Sequence, residues 1–261
     1  MLKKLGAAKG GDTGHTGVLD EDAFKALHEL KEGKAPKLHG KDMMLGKEKA
    51  YLSMPKGKGP FPGVIVIHEW WGLNANVKHW ADRLAADGYA AIAIDLYQGQ
   101  VATTPDDALK YMRGVNDDGG AVVISSAMKF LAEDPRIKAT KRAAINWCFG
   151  GGWSLRAALD HPQLDAAVIY YGRLKTDPEV LKPIKAKIMG VFGKLDSGIP
   201  PATVKAFEEG LKKAGVDVVI HSYDANHAFA NPSSARYDKV AAADAWIKVR
   251  AFLKKHLMTS K

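Results

Sequence analysis

The chain is poor in the features that mark secreted or membrane-spanning proteins. It has a single cysteine among 261 residues, which excludes an internal disulfide. No run of about 18 apolar residues occurs, and this excludes a membrane-spanning helix. Residues 1–11 also lack the apolar stretch of a secretory leader. We therefore expect a cytoplasmic protein, with an exported protein whose leader has been removed as the alternative.

Motifs for nucleotides, nucleic acids and metal ions are missing too. There is no Walker A loop and no glycine-rich dinucleotide fingerprint after a strand. The formal net charge of +9 comes from scattered lysines, without zinc-finger spacing or an RNA-binding aromatic signature. This charge favours solubility and weak attraction of anionic substrates. The sequence thus predicts no cofactor, no metal and no nucleic-acid or membrane partner, in a monomer or small homo-oligomer.

Residues 1–48 differ in composition from the rest of the chain. They are rich in glycine and lysine and predict one short helix, which begins at Asp20 as N-cap and ends at Gly33. We interpret them as a partly mobile N-terminal extension. Residues 49–261 carry a regular pattern without an internal repeat or a linker, and this pattern predicts one domain.

Short apolar runs alternate with helical patterns from residue 50 onward. Residues 64–67 and 90–94 are uninterrupted apolar runs, as in buried parallel strands. Between them, apolar residues recur at helical spacing and predict a helix that ends at Gly88. Further strands are predicted at 50–54, 143–147, 166–171, 188–192 and 216–222. The alternation predicts an α/β fold, a mostly parallel central sheet with helices on both faces.

The single cysteine, Cys148, lies where a predicted strand passes sharply into a helix. It directly follows the strand that ends at Trp147, and residues 150–152 are all glycine. This arrangement is typical of a nucleophile elbow, which needs small neighbours because the helix passes close by. The N-terminus of the helix also favours a thiolate. Cys148 is therefore the candidate nucleophile, against the alternative of an inert buried cysteine.

Two further polar residues follow later strands. Asp196 comes after the strand that ends at Phe192, and His227 comes after the last strand. The carboxyl ends of parallel strands meet at one edge of a sheet, and the order nucleophile, acid, histidine is that of the α/β-hydrolases. There His227 would take and return the thiol proton while Asp196 fixes the ring tautomer. Taken singly, Asp196 also fits a turn residue and His227 a structural histidine.

Several segments together resemble signatures of the dienelactone hydrolase family of the α/β-hydrolase superfamily. They follow one another in the family's order: residues 67–72, 95–97, 148–151, 170–172, Asp196 and residues 227–229. The resemblance runs from about residue 50 to the end of the chain. It implies the α/β-hydrolase fold and a hydrolase that acts on a small-molecule ester or lactone.

The resemblance also implies roles for residues around the triad. Glu69 matches the family's acidic residue near the thiol and would modulate its ionisation, with a loop salt bridge as the alternative. The backbone amides of Trp70 and Phe149 would form the oxyanion hole, as the fold also requires. For His68 we expect a packing role, because residues 68–72 lack the second histidine of a zinc protease.

The chain departs from the family where two arginines would hold a substrate carboxylate. Gly99 and Asn231 occupy those positions, so a carboxylated dienelactone loses its main anchor. Asn146 also stands where glycine is usual, two residues before Cys148. A relocated anion clamp is the alternative, with three candidates: Arg113, Arg173 and Arg236.

Aromatic residues are frequent around the candidate site. Trp71, Tyr97 and Tyr171 lie in or beside the family motifs and predict an apolar substrate pocket, whereas Trp147 and Trp153 fit a pocket and core packing equally well. Our interpretation is a hydrolase of neutral or aromatic carboxylic esters or lactones that works through an acyl-thioester. The alternatives are a true dienelactone hydrolase (carboxymethylenebutenolidase) with a relocated clamp, and a non-catalytic relative that binds a ligand or partner.

Overall fold

The computed structural model describes residues 35–258, which contain an eight-stranded sheet. The helix predicted between Asp20 and Gly33 lies outside those residues. The strands follow the order β1-β2-β4-β3-β5-β6-β7-β8, with β3 to β8 parallel and β2 antiparallel to both β1 and β4. Their bounds are β1 Lys41–Leu45, β2 Glu48–Ser53, β3 Gly63–Ile67, β4 Ala90–Ile94, β5 Arg142–Trp147, β6 Ala166–Tyr170, β7 Lys187–Gly193 and β8 Val218–Tyr223.

Helices cover both faces of the sheet. Consecutive residues of its buried strands point to opposite sides, so each strand places apolar side chains on both faces, and the helices pack against them. In β3, Val64 faces the side that carries α1 (Ala75–Ala86) and α7 (Lys239–Leu257). Ile65 faces the side that carries the other helices, α2 Pro105–Gly114, α3 Asp117–Glu133, α4 Phe149–Asp160, α5 Pro178–Leu181 and α6 Pro201–Lys213. The predicted α/β-hydrolase fold is confirmed. Within residues 35–258, no helix has both the length and the apolarity needed to span a membrane.

The central strands end level with one another at one edge of the sheet. Every residue of β3, β4 and β6 is buried, as expected for parallel strands covered on both sides. In the register, Ile67 of β3 stands beside Ile94 of β4 and Asn146 of β5. The residues that follow these strands therefore meet at the carboxyl edge of the sheet.

The first strand of the sheet lies in the segment predicted to be an extension. β1 pairs with β2 from Lys41 opposite Leu52 to Leu45 opposite Glu48. The sheet thus includes part of residues 1–48, and the boundary predicted between residues 48 and 49 falls inside β2. Most side chains of β1 are exposed, so the strand lacks the apolar alternation that identifies strands in a sequence.

A buried carboxylate ties the start of this hairpin to α1. Asp82 accepts hydrogen bonds from the amides of His39 and Gly40, at 2.9 and 3.0 Å. It also accepts from the hydroxyls of Tyr51 and Ser53, at 2.9 and 2.7 Å. Without Asp82 the buried hydroxyls of Tyr51 and Ser53 lose this acceptor, and a buried donor left unsatisfied costs about 1–3 kcal/mol.

We expect Asp82→Ala to lower the free energy of unfolding by about 2 kcal/mol. A urea titration followed by circular dichroism measures this loss. Asp42→Ala is the matched control, because Asp42 is exposed and pairs with Lys78 at the surface, where a salt bridge contributes less than about 1 kcal/mol. Equal losses in the two variants would contradict an anchoring role for Asp82.

Candidate active site

Polar side chains from four separate loops meet at the carboxyl edge of the sheet. Glu69 follows β3, Cys148 follows β5, Asp196 follows β7 and His227 follows β8. All four are buried. The structure thus brings together the residues that the sequence predicted to act jointly, although they are spread over most of the chain.

The turn between β5 and α4 holds Cys148 in a strained conformation. Its φ of 53° and ψ of −119° lie outside the regions that side-chain-bearing residues ordinarily adopt. Its amide donates to the carbonyl of Tyr170 at 3.1 Å, and its carbonyl accepts from the amide of Gly151 at 2.7 Å. Strain of this kind is typical of a nucleophile elbow, which presents the side chain at the top of the turn.

The glycines after Cys148 are required by a close approach of two chain segments. A Cβ atom at Gly151 would lie 2.2 Å from the Cα of Gly172, and one at Gly150 would lie 2.8 Å from the carbonyl oxygen of His68. The side chain of Asn146 would also be in the way: its Cβ lies 3.0 Å from a Cβ placed at Gly150, and its Nδ2 lies 3.1 Å from a Cβ placed at Gly151. Asn146 is therefore accommodated in place of glycine because the residues facing it have no side chains.

His227 connects the thiol to a carboxylate. Its Nε2 lies 3.3 Å from the Sγ of Cys148, and its Nδ1 lies 2.7 Å from the Oδ2 of Asp196. The Oδ1 of Asp196 accepts from the amides of Gly198 and Ile199, at 2.8 and 3.0 Å. Since the carboxylate accepts the Nδ1 proton of the ring, Nε2 faces the sulfur. This geometry allows a proton to pass from the thiol to the ring.

The charges of these three groups depend on one another. Burial raises the pKa of the Cys148 thiol, although the His227 ring and the amide of Phe149 act in the opposite direction. Burial favours the neutral ring of His227, but Asp196 and Cys148 outweigh it and raise the pKa of His227. Burial also opposes the charge of Asp196, yet the ring and two backbone amides hold its pKa below the usual range. A thiolate and a protonated ring therefore stabilise each other here.

Comparison with known proteins assigns this chain to a family. The pattern of the dienelactone hydrolase family matches residues 49–257, nearly all of the part that contains the sheet. The chain belongs to this family. As a dienelactone hydrolase family member, the protein is a hydrolase of ester or lactone bonds.

Relatives with similar sequences and structures agree with the assignment. Protein usf of Aquifex pyrophilus is 35% identical over 81% of this chain and 94% of its own length. A protein of Methylorubrum extorquens named "Putative carboxymethylenebutenolidase" is 30% identical over 79% of this chain and 76% of its own. A solved dienelactone hydrolase-like promiscuous phosphotriesterase from metagenomic libraries superposes with a TM-score of 0.72 at 27% identity, covering 84% of this chain and 97% of that one.

In this dienelactone hydrolase family member, an amide holds Glu69. The Nδ2 of Asn231 donates to the Oε2 of Glu69, and the Oδ1 of Asn231 accepts from the amide and hydroxyl of Ser233, at 2.8 and 2.7 Å. Burial raises the pKa of Glu69 to about 7, against the opposing effects of His227 and Asn231. Among residues 35–258, the hydrogen-bond partner of the Glu69 carboxylate is thus a buried amide. The sequence marked Asn231 only as a missing arginine, and this contact was not predicted.

The two residues predicted to form the oxyanion hole come directly after Glu69 and directly after Cys148. Phe149 begins α4, and its amide donates toward the sulfur of Cys148 and lowers the thiol pKa. Trp70 follows Glu69, whose carbonyl accepts from the amide of Gly72 at 3.2 Å. In a planar trans peptide the N–H points opposite to the C=O, so the Trp70 amide is directed away from Gly72.

Three buried aromatic residues predicted to line the pocket lie near these groups. The ring of Tyr171 is centred 5.1 Å from that of His227, and the ring of Tyr97 is centred 5.6 Å from that of Phe149. Trp71 lies edge-on to the tryptophan before it, with ring centres 5.1 Å apart. Burial raises the pKa of both tyrosines well above 10, so their phenols stay protonated.

Two other tryptophans belong to the core. Trp147 stacks on Trp80 and Tyr170, with ring centres 4.8 and 5.4 Å apart, on the side of the sheet that carries α1. Trp153 packs against Gly120 of α3, where a Cβ atom would lie 2.2 Å from the indole. Of the two interpretations left open by the sequence, core packing therefore accounts for both residues.

His68 has a role that the sequence did not predict. We expected packing alone, and its ring does stack at 5.9 Å on Phe149. However, the ring also accepts a hydrogen bond from the Leu96 amide at Nε2, at 3.0 Å, and its Nδ1 lies 2.6 Å from the carbonyl oxygen of Glu69. The only signal in the sequence was its place next to Glu69 at the end of a strand.

Proposed function

We propose that this hydrolase cleaves carboxylic esters or lactones with Cys148 as nucleophile, His227 as general base and acid, and Asp196 as the group that orients His227. The observation that carries the proposal is the double contact of His227, 3.3 Å to the thiol sulfur and 2.7 Å to the carboxylate. The strained turn at Cys148 supports it, because an inert buried cysteine has no need of a positive φ.

Acylation begins when the Nε2 of His227 takes the thiol proton. The thiolate of Cys148 attacks the ester carbonyl carbon, and the amides of Trp70 and Phe149 stabilise the oxyanion that forms. As the intermediate collapses, the carbon–oxygen bond to the leaving group breaks and His227 gives its proton to the departing oxygen. The acyl group stays on Cys148 as a thioester.

Deacylation repeats these steps with water. His227 removes a proton from a water molecule, whose oxygen attacks the thioester carbonyl, and the same two amides stabilise the second oxyanion. The thiolate of Cys148 then leaves and recovers its proton from His227, while the carboxylic acid departs. Throughout the cycle the charge of Asp196 stabilises the protonated ring, since its own pKa is held low.

Glu69 places a pH-dependent charge beside the nucleophile. Its carboxylate raises the pKa of the Cys148 thiol, and burial raises its own pKa to about 7. Below pH 7 a neutral Glu69 therefore leaves the thiolate more stable, and above pH 7 a charged Glu69 opposes it. We assign Glu69 to the modulation of thiol ionisation, and not to the binding of a substrate cation.

The chain has no arginine at either of the two positions where the family's arginines stand, which are Gly99 and Asn231. The side chain of Asn231 already donates one N–H to Glu69 and accepts from Ser233, so only one N–H of its amide is left for a substrate carboxylate. Gly99 has a φ of 87°, and a Cβ atom there would lie 2.8 Å from the Nζ of Lys49. Together with the buried rings of Tyr97 and Tyr171, this favours neutral aryl or alkyl esters over carboxylated dienelactones.

We expect kcat/KM for a neutral aryl ester to exceed that for a carboxylated dienelactone by about tenfold or more, because burying an unpaired carboxylate costs several kcal/mol. Steady-state kinetics on two substrates with similar leaving groups make the comparison. Cys148→Ala is the control, since both activities must disappear in it. A dienelactone preferred by about a hundredfold would overturn the substrate assignment and point to a relocated clamp, while the nucleophile assignment would stand.

A further inference from the structure

The tautomer of His68 follows from its two hydrogen bonds. A backbone amide can only donate, so the Nε2 that faces the Leu96 amide at 3.0 Å carries no proton. The proton of the neutral ring is therefore on Nδ1, which donates to the carbonyl oxygen of Glu69 at 2.6 Å. The Oδ1 of Asp95 lies 4.0 Å from Nε2, beyond hydrogen-bond distance. Complete burial lowers the pKa of His68, which agrees with a neutral ring.

This hydrogen bond acts on the peptide group that contains the Trp70 amide. The carbonyl oxygen of Glu69 is held by the Nδ1 of His68 and, more loosely, by the amide of Gly72 at 3.2 Å. Because the peptide is planar and trans, fixing the direction of its carbonyl also fixes the direction of its N–H. A rotation of this peptide would turn the Trp70 amide away from an oxyanion at Cys148.

The ring of His68 also contacts the other half of the proposed oxyanion hole. It stacks on the ring of Phe149 with centres 5.9 Å apart, and it meets the ring of Tyr97 edge-on at 4.5 Å. Its bond to the Leu96 amide ties it to the segment that follows β4. His68 thus joins the loops after β3 and β4 and the start of α4 at one fully buried point.

We propose that His68 is a positioning residue for the oxyanion hole, which holds the Glu69–Trp70 peptide so that the Trp70 amide points at the developing oxyanion. The inference rests on the proposed function, since it assumes an oxyanion at this place. His68 touches neither the thiol nor the carboxylate of the triad in its contacts within residues 35–258, so it acts through the peptide. Its removal should therefore affect the tetrahedral intermediates and leave the thiol's own reactivity intact.

Asparagine and leucine at position 68 form a matched pair, because their side chains have the same branching and differ in hydrogen bonding. The amide of His68→Asn can donate to the Glu69 carbonyl in place of Nδ1, and His68→Leu cannot. We expect kcat of His68→Leu to fall between about tenfold and a hundredfold with KM within about threefold, since a misdirected donor forfeits part of the usual effect of an oxyanion-hole amide. We expect His68→Asn to keep kcat within about fivefold of wild type.

Two further measurements separate positioning from a general loss of structure. Alkylation of Cys148 by iodoacetamide forms no oxyanion and should stay within about twofold of wild type in His68→Leu. Inhibition by a trifluoromethyl ketone, which gives a tetrahedral adduct with the thiol, should weaken by the same factor as kcat. Should His68→Leu be unfolded by circular dichroism at the assay temperature, His68→Met takes its place.

An unchanged kcat in the leucine variant would overturn the inference, and so would equal losses in the leucine and asparagine variants or an alkylation rate that falls with kcat. Wild type and Cys148→Ala are assayed beside them. Full activity in Cys148→Ala would instead refute the proposed function itself, so the two failures are distinguishable.

Discussion

Replacement of Cys148 by alanine is expected to lower kcat/KM for a neutral ester by about ten-thousandfold or more, because a triad without its nucleophile retains only the contribution of the oxyanion hole and of binding. The loss corresponds to about 5 kcal/mol or more of transition-state stabilisation. Steady-state hydrolysis of an aryl ester measures it. Under turnover, wild type should also gain the mass of the acyl group on the peptide that contains Cys148, and the variant should not.

A matched control for this loss is available in the same helix. Ser154 of α4 is fully buried, and the substitution Ser154→Ala deletes one side-chain oxygen in the helix that follows Cys148 while leaving the thiol in place. We expect Ser154→Ala to keep kcat/KM within about threefold of wild type, as is usual away from the reacting groups. If Cys148→Ala kept more than about a tenth of the wild-type activity, the nucleophile would have to be sought elsewhere.

Glu69→Gln should make the protein more stable than wild type at pH 8 but not at pH 5. Burial raises the pKa of Glu69 from its ordinary value of 4.5 to about 7 in the folded protein. Its stabilising contribution is therefore complete below pH 4.5 and is lost as the pH rises to 7, because over this range the folded state keeps a proton that the unfolded chain has already given up. This difference in pKa between the folded and unfolded states corresponds to about 3 kcal/mol in the free energy of unfolding at pH 8.

The measurement is the free energy of unfolding in urea for both proteins at pH 5 and pH 8. Any free-energy cost of the buried glutamine that is the same at both pH values cancels when the difference in free energy of unfolding between variant and wild type at pH 5 is subtracted from the difference at pH 8. Glu133→Gln is the control, because Glu133 is exposed and pairs with Lys129 on the surface of α3, at 3.9 Å. If the difference in free energy of unfolding between this variant and wild type changed with pH as much as it does for Glu69→Gln, the assignment to Glu69 would be contradicted. If the difference between Glu69→Gln and wild type were equal at pH 5 and pH 8, Glu69 would already be ionised at pH 5.

The parallel strands and the triad could be predicted because they obey rules that are local in the sequence. β3, β4 and β6 are buried throughout, so each leaves a continuous apolar run. Cys148, Asp196 and His227 each follow a predicted strand, and the topology of a parallel sheet brings strand ends together. Knowing the strands was therefore enough to predict which residues would meet.

The contacts that tune the site could not be predicted in this way. Asn231 and Glu69 are 162 positions apart, and their hydrogen bond depends on the path of two loops rather than on the order of strands. His68 gave no sign of its bond to the Leu96 amide, because a backbone donor leaves no trace in a sequence. β1 escaped prediction for another reason, since it lies at the sheet's edge and most of its side chains face water.

The long sequence separation of the site's contacts has a consequence for how the molecule becomes active as it folds. The bond between His227 and Cys148 spans 79 positions, and that between Asn231 and Glu69 spans 162. Neither can form before the intervening strands have docked, because closing such large loops is entropically unfavourable until other contacts hold them. Helices of the refolding chain can appear early, but no subset of them creates a partial site. Recovery of hydrolysis therefore reports the docking of the strands from β4 to β8, and no enzyme activity accompanies the earlier, half-assembled species.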